Sequence, residues 1–389
     1  MTGSSRYKGP WQKAEALLPI LRERAPKCEE LRRMPDETLR DFHDAGLFRI
    51  QQPRRVGGAE LEFVAIVHFG ALLARACASS AWNFINFAAH HHMLGMFPRE
   101  AQDEIWGASP DTLIASSFVF PAGKARKVED GYVISGRWPF SSGVDPSQWN
   151  MLAGLSRLDD NAPPEQRIFL LERSQYKVID TWFAGGLRGT GSKDVEVKEQ
   201  FVPEHRTLAV ADTKGGPTPG SAVNPSPLFQ IPVFALFPYM LSGVALGIAE
   251  GLIADFSPKT GKMTAARIAE IQSTQIRLSE ATAYARASRV MQEANCLETQ
   301  DIIGKGEVPD LQTKARYRLE GAYAVEWAVR AVDVMFGLSG ASGLYESGHA
   351  ARAFRDAHAV KQHFSFNTDI AGTTYGRVAL GLPSDNPTL

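Results

Sequence analysis

The chain is poor in the features that stabilise secreted and metal-bound proteins. Its 389 residues hold three cysteines, Cys28, Cys77 and Cys296, with no CxxC pair. That excludes a disulfide framework or a Cys-ligated zinc site and predicts buried thiols in a reducing compartment. No HExxH is present, so no histidine metal motif is expected. Net charge is also missing: the formal value is −1, which leaves no electrostatic footprint for nucleic acid or anionic lipid. There is no P-loop, no GxSxG elbow and no GxGxxG fingerprint. The opening "MTGSSRYKGPWQKAEALL" lacks an apolar core and a cleavage signal, which predicts a soluble, cytoplasmic protein. Gly215 to Ala249 runs about 35 residues without charge, but Pro217, Pro219, Pro225, Pro227, Pro232 and Pro238 interrupt it. Such a stretch cannot be one membrane helix and predicts a loop feeding a buried helix.

What is present is ordinary globular composition, 44% hydrophobic and 22% charged, in a chain too long for one core. The first part reads as helical. "PDETLRDFHDAGLF" opens on Pro35 with acidic residues in its first turn and stops near Gly46. "QQPRRVGG" breaks the pattern, and Leu61 to Phe97 is too apolar for a surface helix. From about Asp111 short runs replace it: "TLIASSFVF", "GYVISGRW", "NMLAGLSR", "RIFLLER", "YKVID" and "DVEVKEQFV". These predict strands, with Asp130-Gly131 as a hairpin turn. "DTKGGPTPGSAVNPSP" reads as a linker. From about Phe234 helical spacing returns, through Ile268, Ile271, Leu278, Ala281 and Ala285 and again in "LEGAYAVEWAVRAVDVMFGLSG", and suggests a four-helix bundle. The expected order is a helical domain (1–110), a β-domain (111–215) and a second helical domain (216–389).

Several polar residues sit in apolar surroundings. His90, His91 and His92 are consecutive, so on a helix they diverge by about 100° and cannot converge on one metal. They read either as satisfied core or surface histidines, or, in so apolar a run, as a proton acceptor near pH 7. "FRDAHAVKQHF" carries Arg355, Asp356, His358 and His363, where Asp356 suits an ion pair with a nearby arginine. Ser116 and Ser117 lie inside an apolar strand-like run and need partners. "RWPFSSGVD" sets Trp138 and Phe140 beside Ser141 and Ser142. These are strand-and-turn residues on the plain reading, or a face for a flat, polar-edged cofactor.

Taken together, "RVGG", "DGYVISGRWPFSSG", "FRDAH" and the helix from Gln272 to Glu280 resemble the acyl-CoA dehydrogenase fold, over almost the whole chain. "LRRMPDETL", "QDEIW", "SSG", "GSK" and "LGIAE", in that order, are similar to the two-component flavin-dependent monooxygenases, oxygenase components of the 4-hydroxyphenylacetate 3-hydroxylase type. The resemblance implies an α+β protein: an N-terminal helical domain, a middle β-barrel or sandwich, and a C-terminal four-helix bundle. It places Phe140 and Ser142 against a flavin ring, Ser142 beside N5, with Trp138 and Ser141 supporting. It places His90 with Ser116 or Ser117 at the substrate's polar group, and His363 near the flavin's reactive edge. Phe234 falls where the hydroxyphenylacetate enzymes carry an arginine, which implies a more apolar ring as substrate.

The resemblance also covers dehydrogenases, which need a carboxylate base. The run after "RDA" here reads "QHFSFNTD", and no Glu occurs from Arg355 to the end. The implied activity is therefore oxygenation. Reduced FMN, with FAD as second choice, reacts with dioxygen to a C4a-hydroperoxide that hydroxylates a small phenolic or indolic substrate. An N- or S-oxygenating relative and an acyl-CoA dehydrogenase are the alternatives. With no nicotinamide motif, a separate NAD(P)H:flavin reductase is the expected partner, and the resemblance implies a homotetramer.

Overall fold

Charge placement and punctuation set the first helices. The computed structural model describes residues 6–157, 164–256, 270–346 and 348–389. Helices α1 (Lys8–Ala16) and α2 (Leu18–Leu31) lead to α3 (Asp36–Asp44), which starts after Pro35 with Asp36 and Glu37 in its first turn. The chain leaves α3 through Gly46, whose φ of 70° is the left-handed exit expected of glycine. The apolar run from Leu61 is two helices, α4 (Ala65–Ala74) and α5 (Ala78–Leu94), parted where Cys77 turns extended. All of α4 is buried, and so is α5 except Asn86. Helix α6 (Arg99–Ala108) closes this part.

Among the described residues eight strands follow: β1 (Ile114–Ser117), β2 (Gly123–Val128), β3 (Gly131–Ser141), β4 (Trp149–Arg157), β5 (Glu165–Glu172), β6 (Lys177–Ile179), β7 (Lys193–Pro203) and β8 (Thr207–Ala209). Asp130, at φ 58°, makes the expected β2–β3 turn. The strand order is β6-β7-β3-β2-β4-β5-β8. β1 takes one edge of β4 over Trp149–Leu152, and β2 takes the same edge over Leu155–Arg157. The expected barrel or sandwich is corrected here. Among the described residues the strands form one open sheet ending at β6 and β8. One face of it encloses a separate core of Tyr132, Ile134, Trp138, Leu152, Phe169 and Val195.

The segment read as a linker is pinned to the first helices. Gly220 N–H donates to Met96 O at 2.9 Å, and Asn224 Nδ2 donates to Gly95 O at 2.7 Å. The C-terminal helices are α7 (Phe237–Phe256), α8 (Gln272–Gly304), α9 (Leu311–Leu338), α10 (His349–Lys361) and α11 (Thr368–Ala379). α7 packs on α8, α9 and α10, and α9 packs on α8, α10 and α11, so the bundle is the expected one with α11 added. Ala281 and Ala285 are buried as the spacing requires, Ile271 is exposed, and Ile268 lies outside the described residues. By length and composition α7 could cross a bilayer, but 83% of its apolar window is buried in this fold.

α7 also welds the two helical parts together. Gly243, Gly247 and Gly251 face Val67, Ala71 and Arg75 of α4 in matching steps of four. A Cβ on Gly243 would stand 2.6 Å from Val67 O, and one on Gly247 would run into Ala71 O. Backbone cannot yield as a side chain does. Gly247→Ala should therefore destabilise the protein by about 3 kcal/mol in denaturant melts, whereas Gly107→Ala, with open space around it inside α6, should stabilise it by about 0.5–1 kcal/mol.

Candidate active site

A cavity of about 650 Å³ opens where α5, β1, the end of β3, the 182–192 loop, the start of α7 and the end of α10 meet. Trp82 and Asn86, one turn apart on α5, supply part of the wall. Phe118, Phe120, Phe237, Leu241, Trp182 and Phe364 supply most of the apolar remainder. The polar lining is hydroxyl and amide, with one imidazole: Ser116, Ser117, Ser142, Thr190, Ser192, Asn86, Gln166, Gln362 and His363. No Asp, Glu, Lys or Arg is among the described lining residues.

Of the residues expected at a site, Ser116, Ser117, Phe140, Ser142 and His363 reach this cavity. Ser117 Oγ donates to Pro139 O at 2.6 Å and ties β1 to the end of β3. Ser116, by contrast, makes no side-chain hydrogen bond among the described residues and is free to meet a guest. Phe140 sits at φ 64° in a register shift between Trp138 and Ser141. A bulky residue in that region costs about 1–3 kcal/mol and turns its ring outward, 63% exposed and edge-on to Trp182. Ser142 is buried against Trp82, whose Nε1 donates to its Oγ at 3.0 Å, and pairs with Ser192 Oγ at 2.7 Å.

His363 is packed by rings, face-on to Phe237 and edge-on to Trp82. Burial, helped by the Arg318 cation, pushes its imidazole down to about 3. Its Nδ1 accepts from Ser365 N–H at 3.3 Å. The neutral ring therefore carries its proton on Nε2 and acts as a donor.

Four expected residues are not part of this wall. The resemblance placed Trp138 as supporting aromatic surface for the cofactor, but the register shift between Trp138 and Ser141 sends its ring away from the side of Phe140. Trp138 is fully buried in the sheet's own core and donates from Nε1 to Ala153 O at 2.6 Å. Ser141, also fully buried, accepts from Asn150 Nδ2 at 2.9 Å. Phe234 stands one layer back, stacked on Phe237 and packed on Phe118 and Phe120. His90 lies behind Phe118 and donates from Nδ1 to Ile114 O at 2.5 Å, holding β1.

His91 and His92 are likewise core groups. His91 Nδ1 accepts from Trp106 Nε1 at 3.0 Å, and His92 Nε2 donates to Leu228 O at 2.7 Å. The three divergent rings thus tie α5 to three different segments. Among the described residues Asp356 forms no close ion pair; its Oδ1 accepts Leu187 N–H at 2.6 Å, and burial pushes it up to about 7. Glu29 takes the Arg355 guanidinium instead, at 2.9 Å.

The lining fits a flat, polar-edged ring. Trp82, Phe140 and Trp182 offer faces for stacking, and the Ser142–Ser192–Thr190 hydroxyls offer one polar edge. Sequence reasoning missed Trp82, Trp182, Thr190 and Ser192. Trp82, Asn86 and His90 do recur every four residues along α5, and that stripe was readable. Thr190 and Ser192 lie in "GLRGTGSKD", whose "GSK" contributed to the resemblance but without a role for either hydroxyl.

Comparison with known proteins gives two family matches, "Acyl-CoA dehydrogenase, N-terminal domain" over residues 15–108 and "Acyl-CoA dehydrogenase, C-terminal domain" over residues 239–368. The flavin-dependent monooxygenase oxygenase subunit HsaA of Rhodococcus jostii (strain RHA1) is 32% identical over 377 residues, covering 96% of this chain and 98% of that one. The oxygenase component of p-hydroxyphenylacetate 3-hydroxylase from Acinetobacter baumannii is 32% identical over 384 residues, covering 97% and 90%. The crystal structure of 3-HSA hydroxylase from Rhodococcus sp. RHA1 superposes with a TM-score of 0.93 at 31% identity, covering 98% of this chain and 99% of that one.

The buried imidazoles set a pH dependence. Burial pushes His90 and His92 down to about 4 and His91, like His363, to about 3. On acidification the unfolded chain therefore takes up these protons first, near the ordinary value of 6.5. Stability is intact above that value and falls as pH drops toward about 4. Asp356 works in the opposite sense, its contribution being present at low pH and lost as pH rises through about 7. Four imidazoles outweigh one carboxyl, so the thermal midpoint should fall between pH 7 and pH 5; a flat or rising profile would contradict the assignment.

Proposed function

This chain belongs to the flavin-dependent monooxygenase oxygenase components built on the acyl-CoA dehydrogenase fold, and from that membership we propose that it hydroxylates a small neutral aromatic compound with reduced flavin and dioxygen. The reduced flavin comes from a separate NAD(P)H:flavin reductase, which places both proteins in the cytoplasm. When bound, the flavin supplies the two electrons that let one oxygen atom enter the substrate while the other leaves as water. The polar edge described meets the ring system, which FMN and FAD share.

The observation that carries this reading is the lining itself: aromatic faces, hydroxyls and one neutral imidazole, with no ionised group among the described residues. A dehydrogenase acting α to a thioester needs a carboxylate at the reacting carbon. The nearby buried carboxyl, Asp356, is turned to Leu187 N–H instead. Each wall residue then has one task. Ser142 accepts at the flavin's polar edge. His363 holds a proton at Nε2 toward the cavity. Phe118, Phe120, Phe237 and Leu241 exclude water, and Ser116 meets the substrate's hydroxyl or N–H. His90 acts through β1, keeping Ser116 in place.

A homotetramer suits the exposed flank of the bundle. A groove lined by Ala283, Ala287, Val290, Met291 and Trp327 runs along α8 and α9, with Ile276 and Leu297 also exposed on α8.

With no Lys or Arg to pair a carboxylate, an acid in this cavity would be buried unpaired. Neutral phenols or indoles should therefore show kcat/KM about tenfold or more above their carboxylic-acid counterparts, in assays supplying reduced FMN or FAD and heavy-isotope dioxygen. One labelled oxygen should enter a ring carbon, and the purified chain alone should not oxidise NADH. Preference for the acids would overturn the neutral-substrate assignment; product labelled on nitrogen or sulfur would move the reaction to a heteroatom.

A further inference from the structure

Ser142 carries one proton and two lone pairs, and the network around it fixes where each points. Trp82 Nε1 donates to one lone pair. At the other end, Thr190 Oγ1 donates to Leu187 O at 2.9 Å, because a carbonyl only accepts. Thr190 must then accept from Ser192, 2.7 Å away, and Ser192 must in turn accept from Ser142, also at 2.7 Å. The single proton of Ser142 is therefore taken up by Ser192. What it shows the cavity is its second lone pair.

The direction is hard to reverse, because the receiving carbonyl belongs to a tightly held loop. Leu187 O also accepts from Trp182 Nε1 at 3.1 Å, and Leu187 N–H is held by Asp356. Gly189 N–H donates to Ser79 Oγ at 3.2 Å, and a Cβ on Gly189 would collide with Cys28 Sγ. Gly143 N–H, next to Ser142, donates to Thr190 O at 2.9 Å, which locks the loop to the end of β3.

We infer that Ser192 and Thr190 are positioning residues that hold Ser142 as a pure acceptor, so that the site favours a flavin bearing hydrogen on the ring nitrogen at Ser142 over the oxidised form, whose nitrogen is bare. This rests on the flavin-binding reading above. An acceptor facing N–H makes a hydrogen bond; an acceptor facing a bare nitrogen leaves two lone pairs opposed in a dry site. The preference suits an oxygenase that takes reduced flavin from solution and must release it oxidised.

The test compares dissociation constants for anaerobically reduced and for oxidised FMN, together with the midpoint potential of bound FMN. In the wild-type protein the reduced form should bind more tightly. In Ser192→Ala the proton of Ser142 is free to turn to a bare nitrogen. The reduced-over-oxidised affinity ratio should then fall by about tenfold, chiefly through tighter oxidised binding, and the midpoint potential should fall accordingly. Thr190→Val releases the same chain one link further back and should move the ratio the same way, while Ser192→Thr should restore it. An unchanged ratio in both Ser192→Ala and Thr190→Val, or equal loss of both affinities, overturns the inference while leaving the flavin site standing. Failure of the wild-type protein to bind either form overturns the site reading and the inference with it.

Discussion

The peptide of Leu187 is the point on which the site depends. Its N–H is held by a buried carboxyl on α10, and its carbonyl gathers Trp182 and Thr190. Through it the C-terminal bundle fixes a loop of the β-region, and the loop fixes the hydroxyls behind Ser142. Buried polar groups cannot stay unpaired without cost, so a loop this deep can adopt few alternatives. The left-handed backbone of Leu187, at φ 49°, and the close seat of Gly186 against Arg355 O belong to the same constraint. Asp356, which is not among the described lining residues, thereby sets the polarity of the wall through Leu187.

A second constraint is the absence of charge. Helices α4, α5 and α7 are so apolar that they fill the interior on both sides of the cavity, and close glycine contacts hold two of them together. In that medium an imidazole is driven to its neutral form rather than to a cation. Three consecutive histidines in α5 can therefore be structural without any counter-charge, each bonded through one ring nitrogen to a different segment. Neutrality of the core and the lack of ionised groups in the described cavity wall have the same physical origin.

Much of the architecture was legible because its signals are local. The Pro35 start and Gly46 stop of α3, the Asp130 turn and the buried spacing of Ala281 and Ala285 follow from propensity and period. The sheet was less legible. β2, "GKARKV", is half charged and shows no apolar alternation, and its sharing of one edge of β4 with β1 is a long-range pairing no short window contains. At the site, Ser142 stood out beside its aromatic neighbours, whereas Ser192 meets it across 50 residues of chain. Trp138, which the resemblance set beside Phe140, lies apart from it because one strained residue in a bulge sends the two rings to opposite sides.

The two polar walls of the cavity are complementary in sign. Ser142 faces it as an acceptor, fixed by a chain of hydroxyls; His363 faces it as a donor, because the Ser365 amide occupies its other nitrogen. Neither function needs an ionised side chain, and neither changes with pH in the neutral range, since His363 is held far below its ordinary value. A carboxylate in this cavity would abstract a proton; a fixed donor opposite a fixed acceptor can only hold hydrogens at chosen atoms. The same helical and sheet frame is thus turned from proton abstraction toward shielding and orienting a reactive oxygen.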